Sequence, residues 1–571
     1  MKLSSVFGKK VGILIKKESE SLVFTGLEIP RDYIIDKEQY MPTLDWIGKD
    51  KVINHHKDVP YKVLERKYSF DESGMHKEDI HSNNMIIHGD NLEALKSLLP
   101  QYEGKIKCIY IDPPYNTGNE GWIYNDNVND PKIKKWLGEV VGKEGEDLSR
   151  HDKWLCMMYP RLVLLQKLLA DDGAIFISID GNEYANLKII CDEIFGATNY
   201  IDSISWFKKA SPSNDARFFS NDIEYILVYS KNSMLWKPHR LPLTQKQLKY
   251  YSNPDNDNRG DWNSATYTCN KTREERPNLY YPIVNPKTGK EVLPKETAVW
   301  KYSKSQTEVF QEDNRLFWGV DGTAKMPRIK KFLFEHEGVV NRTLWHYDDV
   351  NHTQGASNQL KNLNITGFST PKPFELIERI VRITSDSNSI ILDSFAGSGT
   401  TAHAVLNMNK SDGGNRKFIL VEMGDYADTI TAERVKRVIN GYGEEKNAVE
   451  GTGGNFSYYE LGNPLFMQDG TINNEVDITE VRKYVWYTET NGIEYKEDIQ
   501  EKYFLGSYND TAYYFYYEKD RVTILDYEFL TSVHKKEQAY VMYADSCALS
   551  DSDLQKWNIT FKKIPRDIEH I

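Results

Sequence analysis

Two short motifs occur in an order that limits what this chain can fold into. Asp112-Pro113-Pro114-Tyr115 closes the apolar run Ile109-Tyr110-Ile111, and Phe395-Ala396-Gly397-Ser398-Gly399-Thr400 closes Ile390-Ile391-Leu392-Asp393. A short apolar run bounded by turn residues reads as a buried strand. Each motif thus sits where a strand ends, and open α/β sheets bind ligands beyond the carboxyl ends of their strands. The glycine-rich turn usually opens such a fold, yet here it follows the other motif by about 280 residues.

Alternating strand and helix patterns surround both motifs. Met85-Ile86-Ile87 reads as a strand, and Asp90-Asn91-Leu92-Glu93 with leucines at 92, 95, 98 and 99 reads as a capped helix. Ile106–Ile111 is the next strand. Leu155, Met158, Leu162, Leu165 and Leu169 mark a helix running to Asp171-Asp172-Gly173, followed by the strand Ala174–Ile179. Ile204–Phe207 and Glu224–Tyr229 are two further strands. The regularity stops over 234–365 and resumes with a helix from Pro373, the glycine-turn strand, and the strand Phe418–Val421 ending at Glu422. This alternation predicts a parallel sheet with helices on both faces.

The glycine turn allows a tight bend and close approach of a ligand to the backbone. A helix starting at Thr400 would aim its free amides at an anionic group. Glu422, 25 residues beyond Gly397, is placed to accept from ribose hydroxyls. Taken alone, this pattern fits a nicotinamide dehydrogenase nearly as well. It is not a phosphate-binding P-loop, because no lysine follows the second glycine.

With both motifs in this order, the chain resembles the DNA amino-methyltransferases of the permuted class. Within them it is most similar to the modification subunits of Type III restriction-modification systems, over roughly residues 81–445; Asn116-Thr117-Gly118-Asn119 adds to that likeness. The resemblance implies a Rossmann-like α/β fold dependent on S-adenosylmethionine, with an inserted target-recognition domain and a C-terminal α+β domain. It places the methionine end of the cofactor near Asp393, Phe395, Gly397, Gly399 and Thr400, the ribose at Glu422, and the adenine at Asp90. Lys372-Pro373-Phe374 resembles the segment that covers the methionine moiety. Asp90 is also a suitable helix N-cap, and Lys372 could simply begin a surface helix.

An exocyclic amine is a poor nucleophile because its lone pair is delocalised into the base. Asp112 can accept one N–H and the Pro113 carbonyl the other, favouring the positive charge that develops on nitrogen. Pro113 and Pro114 stiffen the loop, and Tyr115 offers a face for stacking an extruded base. Asp at the first position resembles the adenine-N6 enzymes; cytosine-N4 enzymes usually carry Ser. Trp154, Arg161, Asp180 and Glu183 match the family's following run, and structural salt bridging explains them equally well. Asn116, Phe218, Phe219 and Arg259 are weaker candidates for contacts to base or DNA, and core packing is the plainer reading for the two phenylalanines.

Net charge is −12, but residues 234–365 hold 20 Lys/Arg against 15 Asp/Glu, while residues 446–571 hold 13 against 22. A basic, Asn- and Trp-rich centre in an acidic chain fits a DNA reader. The expected organisation is an extension (1–80) of no assignable role, a catalytic half (81–233), a recognition insert (234–365), a cofactor half (366–445) and an acidic contact domain (446–571), with Gly443–Asn455 as a linker. The loop 254–260 fails as a calcium site because Thr266 stands where a bidentate Glu is needed, and the five cysteines give no zinc spacing, so no metal is expected. No apolar run approaches a membrane span, and a bacterial cytoplasmic, nucleoid-associated location is expected. The resemblance implies double-stranded DNA as partner, a homodimer, and a separate helicase-nuclease restriction subunit. A solitary DNA adenine methyltransferase, or cytosine-N4 or RNA-adenine methylation by the same site, is the alternative.

Overall fold

The computed structural model describes residues 15–18, 21–24, 43–117, 150–212, 217–490, 493, 495, 496 and 501–569. Residues 1–45 and 46–571 are separate units. In the first, Ile15–Glu18 and Ser21–Phe24 pair as an antiparallel hairpin.

One eleven-stranded sheet organises the second unit. Its strands are β1 (Lys62–Asp71), β2 (Gly74–His76), β3 (Met85–His88), β4 (Ile106–Ile111), β5 (Leu169–Ile179) and β6 (Tyr200–Phe207). The rest are β7 (Ile223–Ser230), β8 (Leu344–Trp345), β9 (Ile390–Asp393), β10 (Lys417–Glu422) and β11 (Asn455–Pro464). They lie in the order β8-β6-β7-β5-β4-β9-β10-β3-β11-β1-β2. The six from β5 to β11 are parallel; β7 runs antiparallel to β5 and β6, and β1 antiparallel to β11 and β2. The central strands are covered on both faces, which is why they read as unbroken apolar runs; Ile109, Ile111, Ile391, Leu392, Ile419 and Leu420 are fully buried.

Helices α1 (Asn91–Tyr102), α2 (Arg150–Leu168), α3 (Phe374–Thr384), α4 (Thr400–Asp412) and α5 (Glu433–Asn440) clothe the sheet. α3 buries Leu376, Ile377, Ile380, Val381 and Thr384, the apolar stripe its spacing predicts. α2 stops at Leu168, earlier than its pattern suggests, because the chain pairs Leu169 with Ile106 on β4.

The decisive relation is between β4 and β9. Cys108 faces Ile391 and Ile109 faces Leu392, so strands about 280 residues apart in sequence are neighbours. From β4 the chain goes to β5 on one side; from β9 it goes to β10 on the other. Divergent connections from adjacent parallel strands open a crevice at their carboxyl ends.

Regions with weak sequence signals join this sheet. β1 and β2 come from the stretch to which no role could be assigned, and β11 lies beyond the expected linker. Gly443–Asn455 is not a free linker: Thr452 and Gly453 donate to the carbonyls of Val438 and Ile439 on α5, and a Cβ at Gly451 would stand 2.3 Å from the Ile439 oxygen. Its glycines serve close packing. The ends of 234–365 also belong to the sheet core, where Trp236, Trp345, Leu360 and Ile365 are buried. Between them, Trp262–Thr266, Arg328–Phe332 and Leu316–Phe317 form a small antiparallel sheet over a core of Tyr267, Tyr281, Trp300 and Trp318. The tryptophans of this region build cores, while Tyr250 and Phe334 are exposed among its polar and charged side chains. After β11 come helix α6 (Ile478–Thr490), which packs on α1, and a four-stranded mixed sheet.

Candidate active site

Both motifs open into one cavity of about 220 Å³ at the carboxyl ends of β4 and β9, lined by Asp112 to Tyr115 on one side and Phe395 to Ser398 and Thr400 on the other. Lys372, Glu224, Lys208 and Asp180 also line it.

Asp112 leaves the end of β4. Its Oδ2 is 2.6 Å from Lys372 Nζ, while its Oδ1 is buried without a hydrogen-bond partner among the described residues. Lys372 Nζ also donates to the Tyr115 hydroxyl (2.9 Å) and lies 3.6 Å from Glu224, which accepts from Lys208 at 3.0 Å and from Tyr115 at 3.1 Å. Charges alternate through this cluster. Burial pushes the Asp112 carboxyl above the usual carboxylate range; Lys372 opposes that push and Glu224 adds to it. Burial acts against charge on Lys372 too, but Asp112 and Glu224 outweigh it and hold its pKa above the ordinary lysine value. Burial would likewise raise Glu224, yet Lys372 and Lys208 bring it below its ordinary value.

Neighbouring side chains lock the loop. Trp154 Nε1 donates to the Pro114 carbonyl at 2.6 Å. Asn116 adopts a positive φ of 57° and is fully buried, its amide donating to Glu183 and to the Arg150 carbonyl. Asn116 and Glu183 therefore bond each other beneath the loop. Gly118 and Asn119 lie outside the described residues.

On the other side, Asp393 Oδ1 accepts from the Phe395 amide (3.1 Å) and Oδ2 from Thr401 Oγ1 (2.5 Å), which shapes the glycine turn. Burial raises its pKa to about 7. Gly397 has φ 54° and Gly399 φ 77°, and a Cβ at Gly399 would meet the Thr431 carbonyl at 2.9 Å. Glu422 Oε2 accepts from the Gly397 amide (2.7 Å), and Oε1 from the Gly424 amide and the Tyr426 hydroxyl. Asp90 caps α1 through the Leu92 amide (2.7 Å) and pairs with Arg161 at 3.2 Å.

Other expected site residues stand apart. Phe218 and Phe219 are 81% and 94% exposed, so core packing does not hold for either, and the cavity lining includes neither. Arg259 is held by Asp257 (2.8 Å) and Asp313 (2.9 Å) over the Phe332 ring. Glu224 and Lys208 escaped the sequence reading, although a glutamate interrupting the apolar run Ile223–Tyr229 is a visible signal. Among the described residues, no group of His, Cys, Asp and Glu is arranged to hold a metal, and no helix is long and apolar enough to cross a membrane.

The residues present fit S-adenosylmethionine. α4 begins at Gly399, which has no side chain to cap it, so its first amides are open to an anionic group. Asp112 Oδ1, on a residue lining the same cavity, is an acceptor left without a donor among the described residues. A family model described as DNA methylase matches residues 106–433, from the strand before Asp112 to the start of α5. The chain belongs to this DNA methylase family. Among curated relatives of this methylase, the StyLTI Mod subunit of Salmonella typhimurium, a Type III restriction-modification enzyme, is 34% identical over 69% of this chain and 62% of that one. The EcoPI Mod subunit of Escherichia phage P1 is 31% identical over 68% of this chain and 64% of that one. The chain thus spans a little under two thirds of both. The Type II methyltransferase M.KpnI of Klebsiella pneumoniae is 33% identical over 60% of this chain and 81% of its own length.

Proposed function

We propose that this methylase transfers a methyl group from S-adenosylmethionine to the exocyclic N6 of an adenine flipped out of double-stranded DNA. The observation that carries the reading is one cavity lined both by Asp112 to Tyr115 and by the glycine turn, with Asp112 Oδ1 buried and without a partner among the described residues. When bound, S-adenosylmethionine supplies an electrophilic methyl on a sulfonium. Asp112 Oδ1 accepts one N–H of the incoming amine and the Pro113 carbonyl the other, so the nitrogen meets the methyl with its developing charge already compensated. Lys372 favours the ionised form of Asp112 against the pull of burial. The Tyr115 ring, pinned through its hydroxyl, supplies a stacking face. Asp393 and Glu422 shape the turn that receives the methionine and ribose portions, and Asp90 marks the adenine end.

We read the chain as the modification subunit of a Type III restriction-modification system, working as a homodimer with a separate helicase-nuclease subunit. The Mod-subunit relatives support the modification-subunit part of this reading. Residues 234–365 would carry the DNA reader and 446–571 the partner contacts. A solitary adenine methyltransferase is the second reading, favoured by the 81% coverage of M.KpnI.

The test is to incubate the purified chain with labelled S-adenosylmethionine and duplex DNA, then analyse the nucleosides by mass spectrometry. N6-methyladenine is expected. N4-methylcytosine, or label in RNA alone, would overturn the base assignment. Methylation of one strand of an asymmetric site, by a dimer in light scattering, is expected of the Type III reading; a monomer with and without DNA counts against it.

A further inference from the structure

Behind the glycine turn lies an arginine buried without a countercharge. Arg434, in α5, is fully buried. Its Nη1 donates to Ser398 Oγ (2.9 Å) and Thr400 Oγ1 (2.7 Å), and its Nε and Nη2 reach His403 Nδ1 at 3.3 and 3.2 Å. Nδ1 must accept here, which leaves the imidazole proton on Nε2, beside the Tyr442 hydroxyl at 3.3 Å. Burial, with Arg434 second, drives the His403 pKa far below its usual value, so this partner is neutral. Among the described residues no carboxylate lies within ion-pair distance of the guanidinium. Glu375 is the carboxylate whose charge it feels, and that side chain is bonded to Asn351 and Gln359.

An uncompensated buried charge is expensive to maintain, and hydroxyl acceptors offset only part of it. The two hydroxyls concerned, Ser398 and Thr400, line the cavity at the uncapped start of α4. Each oxygen accepts from Arg434, so its own proton must point elsewhere. For Thr400 the Lys372 carbonyl is 3.2 Å away, and for Ser398 the Thr400 Oγ1 is 3.3 Å away. The guanidinium and the helix amides together place positive potential at the Ser398–Thr400 end of the cavity.

We propose that Arg434 is a positioning residue for the cofactor's amino-acid end, an indirect countercharge that selects ligands bearing a carboxylate there. This rests on the reading of the cavity as an S-adenosylmethionine site. Arg434 acts through Ser398 and Thr400 rather than by touching the ligand. A purely structural arginine would instead hold the turn for any adenosyl ligand alike.

Calorimetry with two ligands separates these roles. S-adenosylmethionine carries the carboxylate; 5′-methylthioadenosine shares the adenosyl group and the sulfur-bound methyl, has a neutral thioether in place of the sulfonium, and lacks the amino-acid end. In Arg434→Met, affinity for S-adenosylmethionine should fall by about tenfold or more, with affinity for methylthioadenosine changed less than about threefold. Arg434→Lys, which keeps the charge, should retain most of the preference. Equal loss of both ligands, or no loss of S-adenosylmethionine, overturns the proposal. In the unaltered protein, decarboxylated S-adenosylmethionine should bind more weakly than the parent; equal binding overturns the proposal whether or not the variants fold. If the unaltered protein binds no adenosyl ligand at all, it is the cofactor reading that fails.

Discussion

Lys372 Nζ lies 2.6 Å from Asp112 Oδ2 and 2.9 Å from the Tyr115 hydroxyl, tying the strand-end loop to the segment just before α3. One lysine thus sets both the charge of the acceptor and the pose of the stacking ring. The Lys372 carbonyl accepts from Thr400 at the start of α4, so the same residue also touches the glycine-turn side of the cavity.

Replacing Asp112 with Ala should reduce methyl transfer by at least about 10²–10³-fold, the scale of losing one preorganised polar group at a developing charge. Asp112 bonds Lys372 on the opposite side of the cavity from the glycine turn, so S-adenosylmethionine affinity should stay within a few-fold. Single-turnover transfer and calorimetry on the same preparation check both halves. Near-normal transfer would remove Asp112 from the chemistry.

Lys372 and Glu224 should shift the pH profile in opposite directions. Transfer needs ionised Asp112, whose pKa burial has raised, Lys372 lowers and Glu224 raises. Lys372→Met removes the lowering influence, so the acid limb of the single-turnover rate should move to higher pH. Glu224→Gln removes the raising influence, so the limb should move to lower pH. Shifts in the same direction, or none, would show that Asp112 does not control that limb.

That β4 and β9 are strands of one parallel sheet was legible because both are buried on two faces and end in motifs of restricted chemistry; that they are neighbours only the fold shows. β1 was not, because it shows no clean alternation: its burial runs from half-exposed at Lys62 to buried at Phe70, and it joins the sheet by pairing with β11, nearly 400 residues later. Glycines at 443–454 read as freedom, whereas Gly451 is required by a 2.3 Å approach that only the folded chain reveals. In the site, Asp112 and Gly397 announced themselves. Glu224 and Arg434 did not, since each gains its meaning from partners that the fold brings together.

Asp393 should make stability depend on pH near neutrality. Burial raises its pKa from 3.8 to about 7. The folded state therefore holds a proton that the unfolded chain releases above about pH 4. This contribution is fully present below pH 4 and is lost as pH rises through about 7, a span worth about 4 kcal/mol. Asp393→Asn cannot ionise, so its melting temperature minus that of the unaltered protein should increase steadily from pH 5 to 7.5. A difference that stays constant over that range would show that Asp393 is already ionised in the fold.

The position of β11 decides what can be removed from the C-terminal end. β11 lies between β3 and β1, pairing Ser457 with Met85 on one side and with Ser69 on the other. Phe456 is fully buried and packs on Phe70 with ring centroids 5.8 Å apart. A chain ending at Gly451 loses this strand, exposes the open edges of β3 and β1, and leaves Phe70 without its neighbour. It should be recovered as aggregate or lose cooperative unfolding, since unpaired apolar edges associate. A chain ending at Met467 keeps β11 and the Leu465 amide's bond to the Tyr61 carbonyl, while giving up α6 and the four-stranded sheet. α6 packs on α1, and Tyr487 donates to Glu103 just past the end of α1, so some stability is lost with it. The Met467 chain should still melt cooperatively, at a lower temperature, and bind S-adenosylmethionine, because among the described residues none of the cavity's lining comes from beyond β11. Thermal unfolding and calorimetry on the two truncations read the difference. If the Gly451 chain folds as well as the Met467 chain, β11 is not integral to the sheet; if the Met467 chain cannot bind the cofactor, the C-terminal module reaches further into the site than its contacts with α1 indicate.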